Sequence, residues 1–298
     1  MKILLLGCNG QIGWELQRAL APLGELTPLA REGRDGLVGD LANPAGLRAT
    51  IARVKPDVIV NAAAHTAVDR AESEPGLARQ INATALETLA AEAAARGARL
   101  VHYSTDYVFD GSGDRPWRED DPTGPLSVYG RTKLEGEEII RASACRHLIF
   151  RTSWVYAARG GNFIRNMLKL AAERERLTVI DDQFGAPTGA ELIADVTAQI
   201  VRMAERDGDD PRDGTYHLAA GGETSWHAYA RFVIDGARRR GAELKVGEIV
   251  PIPASAYPTP AKRPANSRLD TRRLRHVFGL TLPDWRVGVG RLLDEILT

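Results

Sequence analysis

The sequence predicts an α/β chain: a doubly wound parallel sheet, followed by a smaller mixed α/β domain towards the C-terminus. Short, wholly apolar runs recur between amphipathic stretches, no hairpin signal joins them, and prolines crowd the last third of the 298 residues. A strand covered by helices on both faces reads as a continuous apolar run, and parallel neighbours need helical crossovers between them. The alternation therefore predicts the sheet, and the prolines predict a more broken architecture after it.

The elements follow in order. Residues 3–6, Ile-Leu-Leu-Leu, form the first strand. After the turn at 7–10, Ile12, Trp14, Leu16 and Leu20 recur at helical spacing until Pro22 and Gly24 end the helix. Residues 25–29, 57–60 and 99–104 read as further strands, with an alanine-rich helix over 75–96 before the last of them. A helix over 127–142 leads to a strand at 147–152. Pro187, Pro211, Pro251, Pro253, Pro258, Pro260 and Pro264 break the remainder into short pieces, and the chain is expected to cross back to the sheet at 214–219.

Composition narrows the function classes. Hydrophobic residues at 44% and charged ones at 26% allow a well-buried core, and zero formal net charge argues against a general polyanion binder, so no nucleic-acid partner is expected. The apolar start stops at Gly7, too short for a secretion signal, and no run approaches the roughly 20 apolar residues that cross a bilayer. With no spanning run no membrane partner is expected, and Cys8 and Cys145 lack a second ligand at metal spacing, so free thiols in a reducing cytoplasm are expected.

Gly7, Gly10 and Gly13 stand in the run Gly-Cys-Asn-Gly-Gln-Ile-Gly, after a strand and at the start of a helix. Such a turn lets backbone approach a diphosphate, and the helix start presents unpaired N–H groups and a positive dipole end. Gly7, Asn9, Gly10, Gln11, Ile12 and Gly13 are therefore dinucleotide-binding candidates, and the sheet reads as a Rossmann fold. At the end of the second strand an acid would favour NAD; this sequence has Ala30 and then Arg31, which favours the extra phosphate of NADPH, with NADH as the alternative. Asp40 and Leu41 are placed at the adenine. Ala62, Ala63, Ala64 and Thr66, just past the third strand, are small enough for ribose and diphosphate to lie against.

Tyr129 and Lys133 are four residues apart on an expected helix and share a face. Reducing a carbonyl needs a proton for the forming alkoxide; an ammonium beside a phenol stabilises the phenolate left behind. Thr105 or Ser104, at a strand end, offers a hydroxyl to polarise the carbonyl. Lys133 is also expected to hold the nicotinamide ribose.

In these residues the chain resembles the extended short-chain dehydrogenase/reductase family, and within it the branch of dTDP-4-dehydrorhamnose reductases. The matching segments are residues 7–20, Asn-Ala-Ala-Ala-His-Thr-Ala-Val-Asp at 61–69, Tyr-Ser-Thr-Asp-Tyr-Val-Phe at 103–109, and Tyr129 with Lys133. Arg-Thr-Ser-Trp-Val-Tyr at 151–156, Asp-Gln-Phe-Gly-Ala-Pro-Thr at 182–188 and Arg-Pro-Ala-Asn-Ser-Arg-Leu at 263–269 extend the resemblance over essentially the whole chain. It implies reduction of dTDP-4-dehydro-L-rhamnose to dTDP-L-rhamnose by NADPH, for cell-envelope polysaccharide synthesis, with Thr105, Tyr129 and Lys133 catalytic. Asp106, Tyr107 and Trp154, with Thr105 and Tyr129, would meet the deoxysugar; Gln183, Pro187, Thr188, Arg263, Asn266 and Arg268 would surround the thymidine diphosphate. The domains implied are 1–155 for the dinucleotide, with a return at about 189–240, and 156–298, discontinuous, mainly for substrate.

Some family members form homodimers around a divalent ion. Glu15, Glu191, Asp294 and Glu295 are the candidates for such a Mg2+ site, but scattered acids usually serve as solvated surface, and no metal is expected. Three rival readings share these residues. One is a reductase of another nucleotide-linked 4-keto-6-deoxysugar. Another is an epimerase or dehydratase, although the aspartate of Thr105-Asp106 lacks the glutamate partner a dehydratase needs. The third is a non-catalytic regulatory subunit of the methionine adenosyltransferase type.

Overall fold

Ile3, Leu4, Leu5 and Leu6 are all fully buried, which is why the first strand carries no polar face. It lies inside a six-stranded sheet in a computed structural model that describes residues 1–205 and 212–297. The strands are β1 (Lys2–Leu6), β2 (Glu25–Leu29), β3 (Val58–Asn61), β4 (Arg99–Thr105), β5 (Arg146–Thr152) and β6 (Gly214–His217). All neighbours are parallel, in the order β2-β1-β3-β4-β5-β6. The expected return at 214–219 is thus β6, at the sheet edge beside β5. Pro211 lies outside the described residues.

Helices cover both faces. The early ones are α1 (Gln11–Leu20), α2 (Pro44–Val54), α3 (Val68–Ser73), α4 (Pro75–Arg79), α5 (Ala85–Arg96) and α6 (Val128–Ala142). After them come α7 (Phe163–Glu173), α8 (Ala190–Ala204), α9 (Trp226–Arg239), α10 (Arg272–Phe278) and α11 (Trp285–Leu297). Leu16 and Leu20 of α1 share one core with Ile193, Ile200 and Val201 of α8 and with Ile3 and Leu5. Leu47 and Ile51 of α2 share the other with Leu86 and Leu89 of α5 and with Leu4 and Leu6. Successive β1 side chains feed opposite cores, so an isoleucine–leucine run with no polar residue is what this position demands.

Two expectations are corrected. The single helix over 75–96 is α4, a π-helical turn at Gln80–Thr84, and α5, preceded by the short α3. The π turn puts Asn82 inward, where its amide accepts from His65 N (2.8 Å) and donates to His65 O and Thr132 Oγ1 (both 3.1 Å). Those bonds tie the loop after β3 to α6, and they offset the poorer helical geometry. Nor do the late prolines all break structure: Pro251 lies within a strand, Glu248–Ile252, paired in parallel with Arg176–Ile180. The pair stands alone, so a proline there can turn its donorless nitrogen away from its one partner. Leu177 and Ile249 of the pair pack with Ala171, Ile234 and Val246, and separately α7, α9 and α11 build a third core from Ile164, Tyr229, Val233, Trp285, Val289 and Leu293.

Candidate functional site

The strand order reverses between β2 and β3, on either side of β1, and a cavity of about 740 Å³ opens beyond the carboxyl ends of β1, β3 and β4. This is where open parallel sheets take their ligands, because loops from opposite faces splay apart there.

The glycine turn forms one wall. Gly7 has φ +81°, and a side chain on it would also stand 2.7 Å from Ala63 N. A side chain on Gly13 would fall on the Gly7 carbonyl, so Gly13 lets α1 pack close and does not itself line the cavity. Gly10 is the N-cap of α1; no side chain caps it and no acid occupies the first turn. The helix therefore keeps free N–H groups and an uncompensated positive end beside Asn9, Gly10, Gln11 and Ile12, which do line the cavity. Arg31, Asp40 and Leu41 lie on the same lining, and Ala62, Ala63, Ala64 and Thr66 form the facing wall. Arg31 is exposed and takes no ion pair among the described residues, whereas Asp40 accepts from Ala42 N at 2.9 Å.

At the other end β4 delivers Thr105 and α6 delivers Tyr129 and Lys133. Ser127 caps α6 by accepting from Gly130 N (3.1 Å), and Glu72 of α3 accepts from Val128 N (2.7 Å), so the turn carrying Tyr129 is held from both sides. Tyr129 and Thr105 line the same end of the cavity, and burial pushes the phenol above its ordinary range while the Thr105 hydroxyl pulls the other way. Thr105 Oγ1 donates to Asp106 Oδ1 (3.0 Å) and accepts from Tyr107 N (3.2 Å). Ser104 Oγ is buried with no partner, and of the two hydroxyls it is that of Thr105 which acts on the Tyr129 phenol. Burial raises the Asp106 carboxyl to about 7, against the pull of bonds from Ser267 and Thr105. Lys133 is fully buried; burial lowers its amine to about 7, with Glu137 acting the other way.

Trp154 completes the wall. Its φ of +48° is rare for a bulky residue. Its ring stacks on Trp226 with centroids 3.6 Å apart and planes 14° apart, over Gly185, where a side chain would stand 2.7 Å from the indole. The surroundings hold the strained backbone in place. Tyr107 meets Tyr129 edge-on at 5.7 Å.

Other substrate candidates lie outside the lining. Thr188 is fully buried, donating to Ala186 O (3.0 Å) and accepting from Ala220 N (3.2 Å). Asn266 donates to Arg115 O (2.8 Å) and accepts from Arg268 N (3.2 Å), pinning two loops. Arg268 pairs with Glu223 (2.6 Å) over the Phe184 ring. Arg263 gives one nitrogen to Asp69 (2.7 Å) while its Nη1 is buried without a partner. Gln183 is buried just before the short strand Phe184–Gly185, and Pro187 lies between that strand and the next, Thr188–Gly189. Sequence reasoning passed over Trp226, Ser153, Gly160 and Gly161, which line the cavity, and His102 behind Lys133. His102 carried a weak signal: it follows the apolar pair Leu100 and Val101 in a strand buried throughout. Trp226 had none, since an aromatic on an amphipathic helix reads as core.

A second cavity, of about 460 Å³, is lined by Glu15, Glu191 and Glu295 among others. Asp294 pairs instead with Arg240, and Glu191 with Arg291. Among the described residues no group of three acids, histidines or cysteines could hold a metal, and no helix is long and apolar enough to cross a membrane. Both cysteines are free.

The family model described as the RmlD substrate binding domain matches residues 1–298. The dTDP-4-dehydrorhamnose reductase of Shigella flexneri is 56% identical over 298 residues, covering 100% of this chain and 99% of its own. Among solved structures, the dTDP-4-dehydrorhamnose reductase of Clostridium acetobutylicum matches with a TM-score of 0.89 and 34% identity, covering 100% of each chain. That of Bacillus anthracis, in complex with NADP, matches at 0.87 and 31%, covering 99% of this chain and 100% of its own.

Proposed function

The chain belongs to the dTDP-4-dehydrorhamnose reductases, which convert dTDP-4-keto-rhamnose to dTDP-L-rhamnose, and from that premise we propose that Thr105, Tyr129 and Lys133 carry the reduction here. The observation that carries the assignment is that Thr105, Tyr129 and Lys133 converge on one end of a cavity whose other end is an uncapped helix start. NADPH, when bound, supplies the hydride. Gly10, Gln11 and Ile12 would hold its diphosphate, Ala62–Ala64 its ribose side, and the unpartnered Arg31 its 2′-phosphate. Tyr129 passes its phenolic proton to the C4 oxygen, Thr105 holds that oxygen in line, and Lys133, once charged, stabilises the phenolate.

Trp154 offers the deoxysugar a flat apolar face. The half-committed Arg263 is the residue we assign to the diphosphate of the sugar nucleotide, since a buried, unpaired guanidinium N–H is costly until an acceptor arrives. On this reading residues 1–155, with the returning α8 and β6, hold the dinucleotide, and 156–298 mainly shape the sugar side. Free cysteines support a cytoplasmic setting. The exposed Val287, on the second cavity, and the exposed Trp14, next to its Glu15, support a homodimer contact there.

The test is to supply NADPH with dTDP-4-dehydro-L-rhamnose or with other dTDP-linked 4-keto-6-deoxysugars, and to identify each product. Fastest NADPH loss with the first, giving dTDP-L-rhamnose, is expected. Faster turnover of another sugar would overturn the substrate, and NADPH binding without any turnover would overturn the chemistry.

A further inference from the structure

The hydrogen bonds behind Lys133 form a chain whose donors and acceptors can be counted from end to end. The Ala63 backbone N–H, which can only donate, lies 3.2 Å from Asn61 Oδ1. The Asn61 amide therefore turns its nitrogen to His102, 3.2 Å from Nδ1. A nitrogen facing an N–H must accept, so the imidazole proton sits on Nε2. That Nε2 is 3.0 Å from Lys133 Nζ, and Nζ is 2.6 Å from the Tyr103 carbonyl oxygen.

An ammonium has no lone pair to receive the Nε2 proton. A neutral amine has one: it accepts from His102, donates one N–H to Tyr103, and keeps the second for the cavity that Lys133 lines. The opposite assignment, an ammonium facing a ring protonated at Nδ1, sets donors against each other at Asn61 or, if that amide rotates, at Ala63. A doubly protonated ring is excluded by position, because His102 is fully buried, which disfavours its charged form, and neither partner at its two nitrogens supplies a negative charge.

Resting on the assignment of Lys133 to the reduction, we propose that His102, aligned by Asn61, is a positioning residue that holds Lys133 as a neutral amine in the ligand-free protein. Charging Lys133 then requires the ring to change tautomer and the Asn61 amide to rotate, which frees the Ala63 N–H. Ala63 belongs to the cavity wall, so a ligand oxygen that accepts from Ala63 favours the charged lysine. The other groups around Lys133 leave this logic in place. Glu137, one turn along α6, is neutralised by Arg151 from β5 and also bonded by Arg141; Asp106 and Tyr129 face the cavity end, and Thr132 beside it is occupied by Asn82 and Tyr129 O.

The test uses the full chain with 15N-labelled histidine, observed by NMR without ligands, together with kcat against pH. The wild-type His102 should show the Nε2–H tautomer near neutral pH. Asn61→Asp, whose carboxylate accepts from Nδ1–H, should convert it to the Nδ1–H form. Its free Nε2 then accepts from the ammonium, and the alkaline limb of kcat moves up by about one pH unit or more. His102→Gln, which offers a carbonyl oxygen to the ammonium without adding charge, should move the limb the same way and covers the case that Asn61→Asp fails to fold. A wild-type ring in the Nδ1–H form, or limbs unmoved in both variants, overturns the proposal. Full turnover by Lys133→Met overturns the catalytic reading of Lys133, and with it the kinetic half of the proposal, while the tautomer is read independently.

Discussion

Lys133 and Glu137 sit one turn apart on α6, both fully buried, and the protein treats them in opposite ways. Glu137 is gripped by Arg151, which donates to both carboxylate oxygens from Nε and Nη2. Among the described residues Lys133 hydrogen-bonds only to the His102 imidazole and the Tyr103 carbonyl. A charge meant to persist in a dry interior needs a counter-ion with matched donors; a charge meant to come and go is given neutral partners, so that burial brings its titration to about 7. Arg31 is a third case, a cation left open on the cavity lining for a ligand to pair.

The largest effect expected from this contrast is on stability. Glu137→Ala would leave Arg151 buried and unpaired and should cost about 3–5 kcal/mol in urea unfolding. Lys133→Met should cost far less, or stabilise, while lowering kcat at least ~100-fold. Equal losses of stability in the two variants would erase the distinction.

The pH dependence sharpens it. Lys133 has its folded pKa depressed to about 7, against roughly 10.4 in an unfolded chain. Between those values the unfolded chain binds a proton that the folded one does not, so this group's penalty is full below about 7 and fades as pH rises towards 10. Urea midpoints of wild type relative to Lys133→Met should therefore climb from pH ~7 to pH ~9. A flat difference would mean that the lysine stays charged in the folded protein.

The smallest effect belongs to the exposed cation. Arg31→Ala should weaken NADPH binding about tenfold and leave NADH binding nearly unchanged, since one charge-assisted phosphate contact at an exposed site is lost. Equal weakening of both, measured by fluorescence titration, would place Arg31 away from the 2′-phosphate.

The sheet was legible because β1 and β3 are buried on both faces, and burial writes itself there as runs of Ile, Val and Leu, while β4, equally buried, offered only Leu100 and Val101. The glycine turn and the Tyr129–Lys133 pair were legible because their spacing is local. What lay beyond reading was long-range. Trp226 reaches Trp154 across 72 residues of chain, and His102 reaches Lys133 from a different element. The break at Gln80–Thr84 was hidden because alanine-rich sequence favours helix on either side of it, and only the tertiary bonds of Asn82 select the wider turn. Asn266 and Thr188 carry polar side chains in two segments expected to hold ligand, yet both are spent on backbone groups; sequence shows the donor without showing who takes it.

The most direct test of the account is Tyr129→Phe assayed with NADPH and dTDP-4-dehydro-L-rhamnose. The account predicts a fall in kcat of about 10²–10⁴ with NADPH affinity nearly unchanged, because the proton donor is gone while the dinucleotide cradle at Gly10–Ile12 and Ala62–Ala64 is intact. Turnover at the wild-type rate would show that the proton comes from elsewhere, and the assignment of Tyr129 would fall.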